Sequence, residues 1–467
     1  MSVLSKERLG EAEPRSNPVR SHIQAKVSAI RRASLREVLS RQLVRNIASG
    51  PVASLLIAVL TAATYPVYLY YLGLEGYGLW IILGTIPSFA QFGNIGVAPA
   101  ITRMVACEFG KQNFAAITEY VSTALIGLAG TGVAVVVAIV LLKGSLVSFL
   151  HLSPSNGGIA KTMIPFCALL AVYVFQVEAL LAALSGLGRI DIANYARVVS
   201  TTICLASAVL FFKFQLGIVA PVLASAIAYV VLHIVTILSI QRVLGRSIFA
   251  VSAFRRARLR PLLRFGGGMF TCSIVTLLVA PLNRLMLARY GGLAVVPVYD
   301  IAFNASMQFR TIIESAIRAT MPEISRLSSA VASSAAAIRR ISKNAVALVW
   351  MLGAPMYAAL YLGARPLLKL WLRGRFQETM PAALQIMIIG AFASLLGVPA
   401  FYKLVATGRI RDLVFGNLIQ SGVNALIVLS SLLLFSRANT SIFLWSTAIG
   451  MGAGALYLIR ANSRASA

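Results

Sequence analysis

The sequence predicts an all-α polytopic membrane protein, with about 12 transmembrane helices in two parallel six-helix lobes around a central cavity. The first observation is composition: 58% of residues are hydrophobic and only 12% are charged. The mean hydropathy is +0.83. Soluble domains sit near half apolar and a quarter charged. The second is recurrence. Stretches without Lys, Arg, Asp or Glu run over 46–74, 76–102, 120–142, 214–241, 344–364, 379–402, 413–436 and 438–459. A bilayer crossing needs about 20 apolar residues, and a soluble core helix rarely sustains such a run even once. The third is an internal repeat, taken up below.

Residues 1–45 form a basic tail with ten Lys or Arg and the carboxylates of Glu7, Glu11, Glu13 and Glu37. No apolar segment stands near the start, so no cleavable signal peptide is expected and the first crossing helix serves as the insertion signal. Residues 1–20 read as disordered. Within 21–45, Ile23, Val27, Ile30, Leu35, Leu39 and Leu43 recur at helical spacing among arginines. That pattern suits either an amphipathic helix on an anionic inner leaflet or a partly helical solvated tail.

The crossings run over 46–71, 78–102, 120–142, 162–185, 190–212 and 215–241, forming an N-terminal lobe, 46–241. A basic linker, 242–264, leads to helices 265–288, 297–325, 344–364, 379–402, 412–435 and 439–459 in a C-terminal lobe, 265–460, with a tail at 461–467. Orientation follows from the basic residues. With the N-terminus inside, the inner tail and loops hold thirty Lys or Arg and the outer loops nine. Positive residues favour the cytoplasmic side, so both termini are expected there. Arg365, Lys369, Arg373 and Arg375 run against this count. The outer loops are expected to be short, the longest spanning 143–161.

The net charge of +28 would suggest nucleic acid in a soluble protein. Here it is concentrated in polar connectors, and no nucleic-acid role is expected. Cys107, Cys167, Cys204 and Cys272 are scattered singly, and His22, His151 and His233 share no ligand spacing, so no metal site or disulfide framework is readable. Gly266-Gly267-Gly268 and Gly450, Gly452 and Gly454 lack the Lys and Ser/Thr of a phosphate-binding loop. Close helix packing through small residues explains them. No catalytic motif is present, and neither enzyme activity nor a cofactor is expected. Pro51, Pro66, Pro87, Pro99, Pro165, Pro221, Pro281, Pro355 and Pro399 fall inside apolar segments, where each can kink a helix.

Gly188-Arg189-Ile190 and Gly408-Arg409-Ile410 repeat at an offset of 220, with Asn194 and Asn417 a short way into the helix that follows. YYLGLEGYGLW (70–80) has a weaker echo in ARYGGLAVVPVY (288–299). Six helices twice, both halves entering from the same side, give parallel lobes related about the membrane normal. In each turn, glycine supplies positive φ and arginine satisfies helix C-terminal carbonyls; a gating contact is the alternative.

The stretch from Arg45 to Lys111 carries Asn46, Gly50, Leu72-Gly73, Glu75, Tyr77-Gly78-Leu79-Trp80, Gly93, Gly96, Thr102 and Arg103. It resembles the opening of the polysaccharide or O-antigen flippase family (Wzx-type), within the multidrug/oligosaccharidyl-lipid/polysaccharide exporter superfamily. The segment PLLKLWLRGRF (366–376) is similar to that family's motif after helix nine. The resemblance implies a two-lobed, inner-membrane transporter that moves an undecaprenyl-pyrophosphate-linked oligosaccharide from the inner to the outer leaflet by alternating access. It also implies working beside a polysaccharide polymerase or export machinery. Two departures matter. The first helix lacks the acidic residue that multidrug exporters often use for cation coupling, and twelve helices fall short of the fourteen typical of the lipid II branch.

Ionisable groups at membrane depth usually face a cavity or a partner. Arg284 follows Asn283 and Pro281 in helix seven. Arg310, Glu314 and Arg318 stand at i, i+4 and i+8 in helix eight, on one face. Glu178 interrupts helix four. Guanidinium forks bind phosphate oxygens in pairs without losing their proton. The resemblance therefore casts Arg284, Arg310 and the neighbouring Asn283 as headgroup ligands, with Arg318 guiding entry and Glu314 or Glu178 open to ion coupling. The opposing view is a self-neutralising ladder within a packed helix. Asp300 and Arg289 read as interfacial. Two competing functions remain: a cation-coupled small-molecule antiporter and a membrane-embedded glycan enzyme, the latter disfavoured by the short outer loops.

Overall fold

The computed structural model describes residues 18–245, 248–318, 335–407, 409–434 and 439–464, without the side chains of 18–44, 47–48, 87–96, 251, 265–277, 315–316, 318, 335–336 and 410. The expectations for residues 1–17, the amphipathic face of 21–44, Cys272, residues 319–325 and Gly408 lie outside the described residues.

One helical run, Pro18–Gly110, is broken at Gly73, where φ is 67° and ψ −174°. Here α1 denotes the part before Gly73 and α2 the part after it. That backbone suits a residue without Cβ, and it folds α2 back on α1: Tyr68 meets Tyr77 and Trp80 edge-on at 6.0 and 6.3 Å. The first half continues as α3 (Phe114–Phe149), α4 (Pro154–Gly186), α5 (Ile190–Lys213) and α6 (Val219–Leu244). The second half holds α7 (Arg256–Gly291), α8 (Val296–Arg318), α9 (Ala335–Leu348), α10 (Ala354–Leu362) and α11 (Ala364–Leu372). It ends with α12 (Met380–Leu396), α13 (Val398–Ala406), α14 (Ile410–Leu434) and α15 (Thr440–Arg464). A π turn, Val349–Gly353, joins α9 to α10. Pro355 just beyond it offers no N–H to the preceding carbonyls, and the ladder widens there.

Among the described residues, nine helical stretches are long and apolar enough to cross a membrane. α8 is not one of them, because Asp300, Asn304, Gln308 and Arg310 lower its hydropathy. The expected loop over 143–161 is a correction: α3 runs to Phe149 and α4 starts at Pro154. Lys143 and Lys161 sit near helix ends, where long stems carry the charge to water. The N-cap Ser153, accepting from Asn156 N, with Pro154 in the first turn, starts α4 early.

The two repeat turns are built as structural latches. Gly188 has φ 79°, and Arg189 Nε reaches Asp191 Oδ1 at 3.3 Å. Arg409 Nε meets Asp412 Oδ2 at 2.7 Å while its Nη1 donates to Ala461 O at 3.2 Å. Asn46 ties α1 to the first turn, donating to Gly188 O and accepting from Asp191 N at 2.9 and 3.1 Å. The late glycines pack helices as expected: a Cβ on Gly450 would stand 2.6 Å from Gln420 O, and one on Gly390 2.5 Å from Ala448 Cα.

At the end of the bundle that carries Gly73, buried side chains of both halves form one cluster, including Tyr65, Tyr77, Leu287, Leu293, Tyr299 and Leu368. Trp371 Nε1 donates to Ala62 O at 2.9 Å and Arg375 Nη2 to Tyr70 O at 3.0 Å. At the opposite, basic end the apolar core is divided. Ile101, Ile117, Val177 and Leu184 belong to a first-half group, and Leu404, Leu413 and Leu458 to a second-half group. The halves are joined at one end and parted at the other. The basic linker is folded onto the first half: Ala250 N donates to Ser122 Oγ at 3.1 Å, Arg255 N to Thr123 Oγ1 at 3.0 Å, and Arg258 Nε to Glu119 Oε2 at 3.0 Å.

Gly78 marks the tightest point of the joined end, where a Cβ would stand 2.0 Å from Leu293 O. Gly78→Val is expected to destabilise the protein by about 1–3 kcal/mol through overpacking, read as a lower melting temperature of the full-length chain in detergent. Gly130→Val, at a helical glycine with nothing within 4 Å of the new Cβ, is the control and should leave melting near wild type.

Candidate functional site

Among the described residues, polar side chains at membrane depth include a buried ion pair and line a hollow in each half. The pair is Arg284 of α7 with Asp300 of α8, in direct ionic contact with side-chain exposures of 15% and 7%. Arg284 Nη2 stands 2.5 Å from Asp300 Oδ1, and the buried Arg284 Nε has no hydrogen-bond partner. Tyr65 of α1 reaches the same place, within hydrogen-bonding range of Asn304 and in the field of both charges. Asp300 is therefore not interfacial. The hairpin between α7 and α8 is short, and Arg284 and Asp300 face one another across it at one depth. Arg289 does lie near the helix end, donating to Phe149 O, with its guanidinium 4.3 Å above that ring.

Asn283 faces away from the hollows. It is 3% exposed, and its amide donates to Tyr299 Oη and Thr447 Oγ1 at 3.1 and 3.0 Å. Asn424 joins the same network through Ser446 and Thr447. These bonds tie α7, α8, α14 and α15 together, so the expected cradle of Asn283, Arg284 and Arg310 is not assembled. Arg284 is committed to Asp300 and Asn283 to a buried network.

Arg310 is placed differently. It lines a hollow of 380 Å³ in the second half, together with Ser394, Phe401, Asn417, Gln420 and Gly454. Its Nη2 stands 3.5 Å from Glu314 Oε2, a loose contact, and its buried Nε has no hydrogen-bond partner. Glu314 Oε1 accepts from Tyr402 Oη at 2.8 Å, which holds the carboxylate against α13. The expected one-turn pairing of Arg310 with Glu314 is present. Arg318 ends α8, and its side chain lies outside the described residues.

Glu178 lies in the first half, beside a hollow of 540 Å³ lined by Thr102, Arg103, Ser185, Asn194 and Arg197 as well. Arg197 forks onto Glu178 with both terminal nitrogens, Nη1 to Oε1 at 2.8 Å and Nη2 to Oε2. Sequence reasoning missed Arg197, Asp300 and Tyr402. Opposite charges inside neighbouring helices could have signalled the first; nothing local marks the other two. A third cavity, of 530 Å³, is almost wholly apolar. It lies between α1, α8 and α11, with Leu55, Val59, Phe309 and Leu370 on its walls and Tyr65 and Asn304 among its lining.

Breaking a buried pair strands a charge and costs about 3–5 kcal/mol, whereas replacing both partners by apolar groups is often neutral. Arg284→Ala and Asp300→Ala are each expected to lower membrane abundance and melting temperature. The double variant Arg284→Met/Asp300→Leu should recover both. Equal loss in the double variant would mean that the charges act beyond their mutual pairing.

A family model described as polysaccharide biosynthesis protein matches residues 43–328, more than half of the chain. A putative O-antigen transporter of Shigella flexneri is 21% identical over 344 residues, 72% of this chain and 78% of that protein. Among solved structures, the lipid II flippase MurJ in an inward closed conformation aligns with a TM-score of 0.73 at 14% identity, covering 88% of this chain and 86% of that one. An inward-facing multidrug resistance MATE family transporter of the MOP superfamily aligns at 0.69 and 14% identity, covering 89% and 98%. An outward-facing MATE transporter aligns at 0.60, with 14% identity over 92% and 96%. At such identities the likeness speaks for the fold, which is that of the MOP superfamily transporters. The family match takes in the stretch from Arg45 to Lys111 on which the sequence resemblance rests. The chain is a helical, multi-pass membrane protein that belongs to the polysaccharide biosynthesis protein family.

Proposed function

We propose that this protein flips an undecaprenyl-pyrophosphate-linked oligosaccharide from the inner to the outer leaflet of a bacterial inner membrane by alternating access. In this reading the chain makes twelve crossings in lobes 46–241 and 265–460, and both termini are cytoplasmic. The basic end then faces the cytoplasm, and the parted core at that end is an inward-facing arrangement. The observation that carries the reading is Arg310: a guanidinium at membrane depth, lining a hollow, with an unpartnered buried Nε and only a loose contact to Glu314. A group so placed is costly in lipid unless it meets a ligand or water, and a diphosphate oxygen offers the charge-assisted bond it lacks.

Asn417 and Gln420 in the same hollow supply amides for sugar hydroxyls. The apolar cavity between α1 and α8 offers the prenyl chain a wall continuous with the bilayer. Arg284 supports the site from behind by fixing α7 to α8 rather than by touching the headgroup, and Arg318 at the end of α8 remains the candidate for guiding entry. Glu314 and Glu178 are the carboxylates placed beside the hollows and are the candidates for ion coupling. The superfamily fold also accommodates small-molecule antiport, and a substrate assay separates the two.

The test is export of lipid-linked glycan in cells that depend on this gene, with variants at wild-type membrane levels. Arg310→Ala is expected to lower export by about 10-fold or more, as loss of a charged hydrogen bond removes about 1.5–3 kcal/mol. Undecaprenyl-linked intermediates should accumulate on the inner leaflet. Wild-type export by Arg310→Ala, or no stranded intermediate after deletion of the gene, sinks the reading.

A further inference from the structure

We propose that the hollow of the first half is a second anion subsite, in which Arg197, braced by Glu178 and flanked by Arg103, binds the diphosphate of the lipid-linked substrate. This inference rests on the flippase reading above and assigns the contribution of the other half to the same headgroup.

The hollow is the larger of the two, at 540 Å³ against 380 Å³, and it lies toward the basic end between α2, α4 and α5. The second hollow draws on α8, the α12–α13 segment and α14, which hold the same second, fourth and fifth places in their half, and in addition on α7 and α15. At the repeat offset of 220, Arg197 corresponds to Asn417, and Glu178 to Val398. All four line hollows. The frame is repeated while the charges are not: on the fifth helix the first half carries a guanidinium, Arg197, where the second half carries the amide of Asn417.

The Glu178–Arg197 pair is asymmetric. The carboxylate is 12% exposed and the guanidinium 42%, so the acid stands behind and the cation in front. A guanidinium has five N–H donors. The fork onto Glu178 uses one hydrogen on each terminal nitrogen and leaves the far edge geometrically able to serve a second anion. Arg103 lines the same space from α2. Among the described lining residues, two guanidinium groups stand with one carboxylate, a composition that suits an anion. Its walls are fixed: Thr102 Oγ1 donates to Ala182 O at 3.0 Å, and Asn194 Nδ2 to Ser49 Oγ at 3.0 Å. Tyr229 of α6 stands near the pair.

The consequence is mechanical. A ligand shifts a conformational equilibrium only through its different affinity for the two states. A diphosphate held by Arg310 alone binds one half in either state. Held by Arg197 and Arg103 as well, it binds better when the basic end draws together, so loading favours closure of that end.

The test uses the full-length protein in lipid nanodiscs and farnesyl diphosphate as a short-chain probe, with affinity and melting temperature measured for each variant. Arg310→Gln and Arg197→Gln are each expected to weaken binding by about 10-fold or more. The reversed pair Glu178→Arg/Arg197→Glu restores an ion pair and should recover melting temperature without recovering affinity. If Arg197→Gln or the reversed pair binds like wild type while Arg310→Gln is weakened, the pair is a structural brace. The subsite then fails and the flippase reading stands. If wild-type protein does not bind the probe at all, both fall together.

Discussion

The apolar seam at the Gly73 end is the constraint on which the rest of this molecule depends. It requires backbone approach, not only side-chain burial. Gly78 brings α2 against Leu293 O in the second half, and Tyr65, Tyr77, Leu287 and Tyr299 close over that contact. The halves are fixed there while their apolar cores are separate at the basic end, and each hollow lies within one half. Without the seam, the polar residues of α8 would have no defined wall to face. With it, Asp300 is held in the dry, joined region, while Arg310, further along the same helix, reaches a hollow.

That gradient along the molecule sorts three intramembrane ion pairs among the described residues. Arg284–Asp300 lies deepest, 15% and 7% exposed. In such a place desolvation is offset only by the partner and the surrounding dipoles. It fastens α7 to α8. Arg310–Glu314 is more open, 30% and 17%, and its members are drawn apart: the carboxylate toward Tyr402, the guanidinium into the hollow. Glu178–Arg197 is the most polarised, with a sheltered acid and a presented base. Sequence position alone gives all three the same reading, a charge where lipid is expected. Their exposures and second partners separate fastening from binding.

Helix content was legible because hydropathy acts locally and repeats often. The Gly188-Arg189-Ile190 turn was legible for the same reason: glycine at positive φ and a short-range arginine contact are written within a few residues. The pairing across α7 and α8 was not. Asp300 sits early in α8, where a hydropathy count assigns interface, and only the hairpin geometry shows that it shares a depth with Arg284. The region 143–161 misled in a similar way, since Lys143 and Lys161 break the apolar run without breaking the helices. Arg310 lines a hollow, whereas Asn283 is bonded into a buried network. The difference lies in which face of its helix meets α15, a question of tertiary packing that periodicity within α7 leaves open.

The path of the linker limits how the two halves can move. Residues 250–258 are hydrogen-bonded to α3 through Ser122, Thr123 and Glu119, and Leu262 is buried with the first-half core. Leu287, at the other end of the same helix, belongs to the shared seam. The linker therefore travels with the first half. Any rearrangement that opens the seam and closes the basic end must be absorbed within α7 between those two leucines, or must break the contacts at Glu119. That interval contains Gly266-Gly267-Gly268 and Pro281, residues that weaken or interrupt helical bonding. The fastening of Arg284 to Asp300 lies near the Leu287 end of that interval.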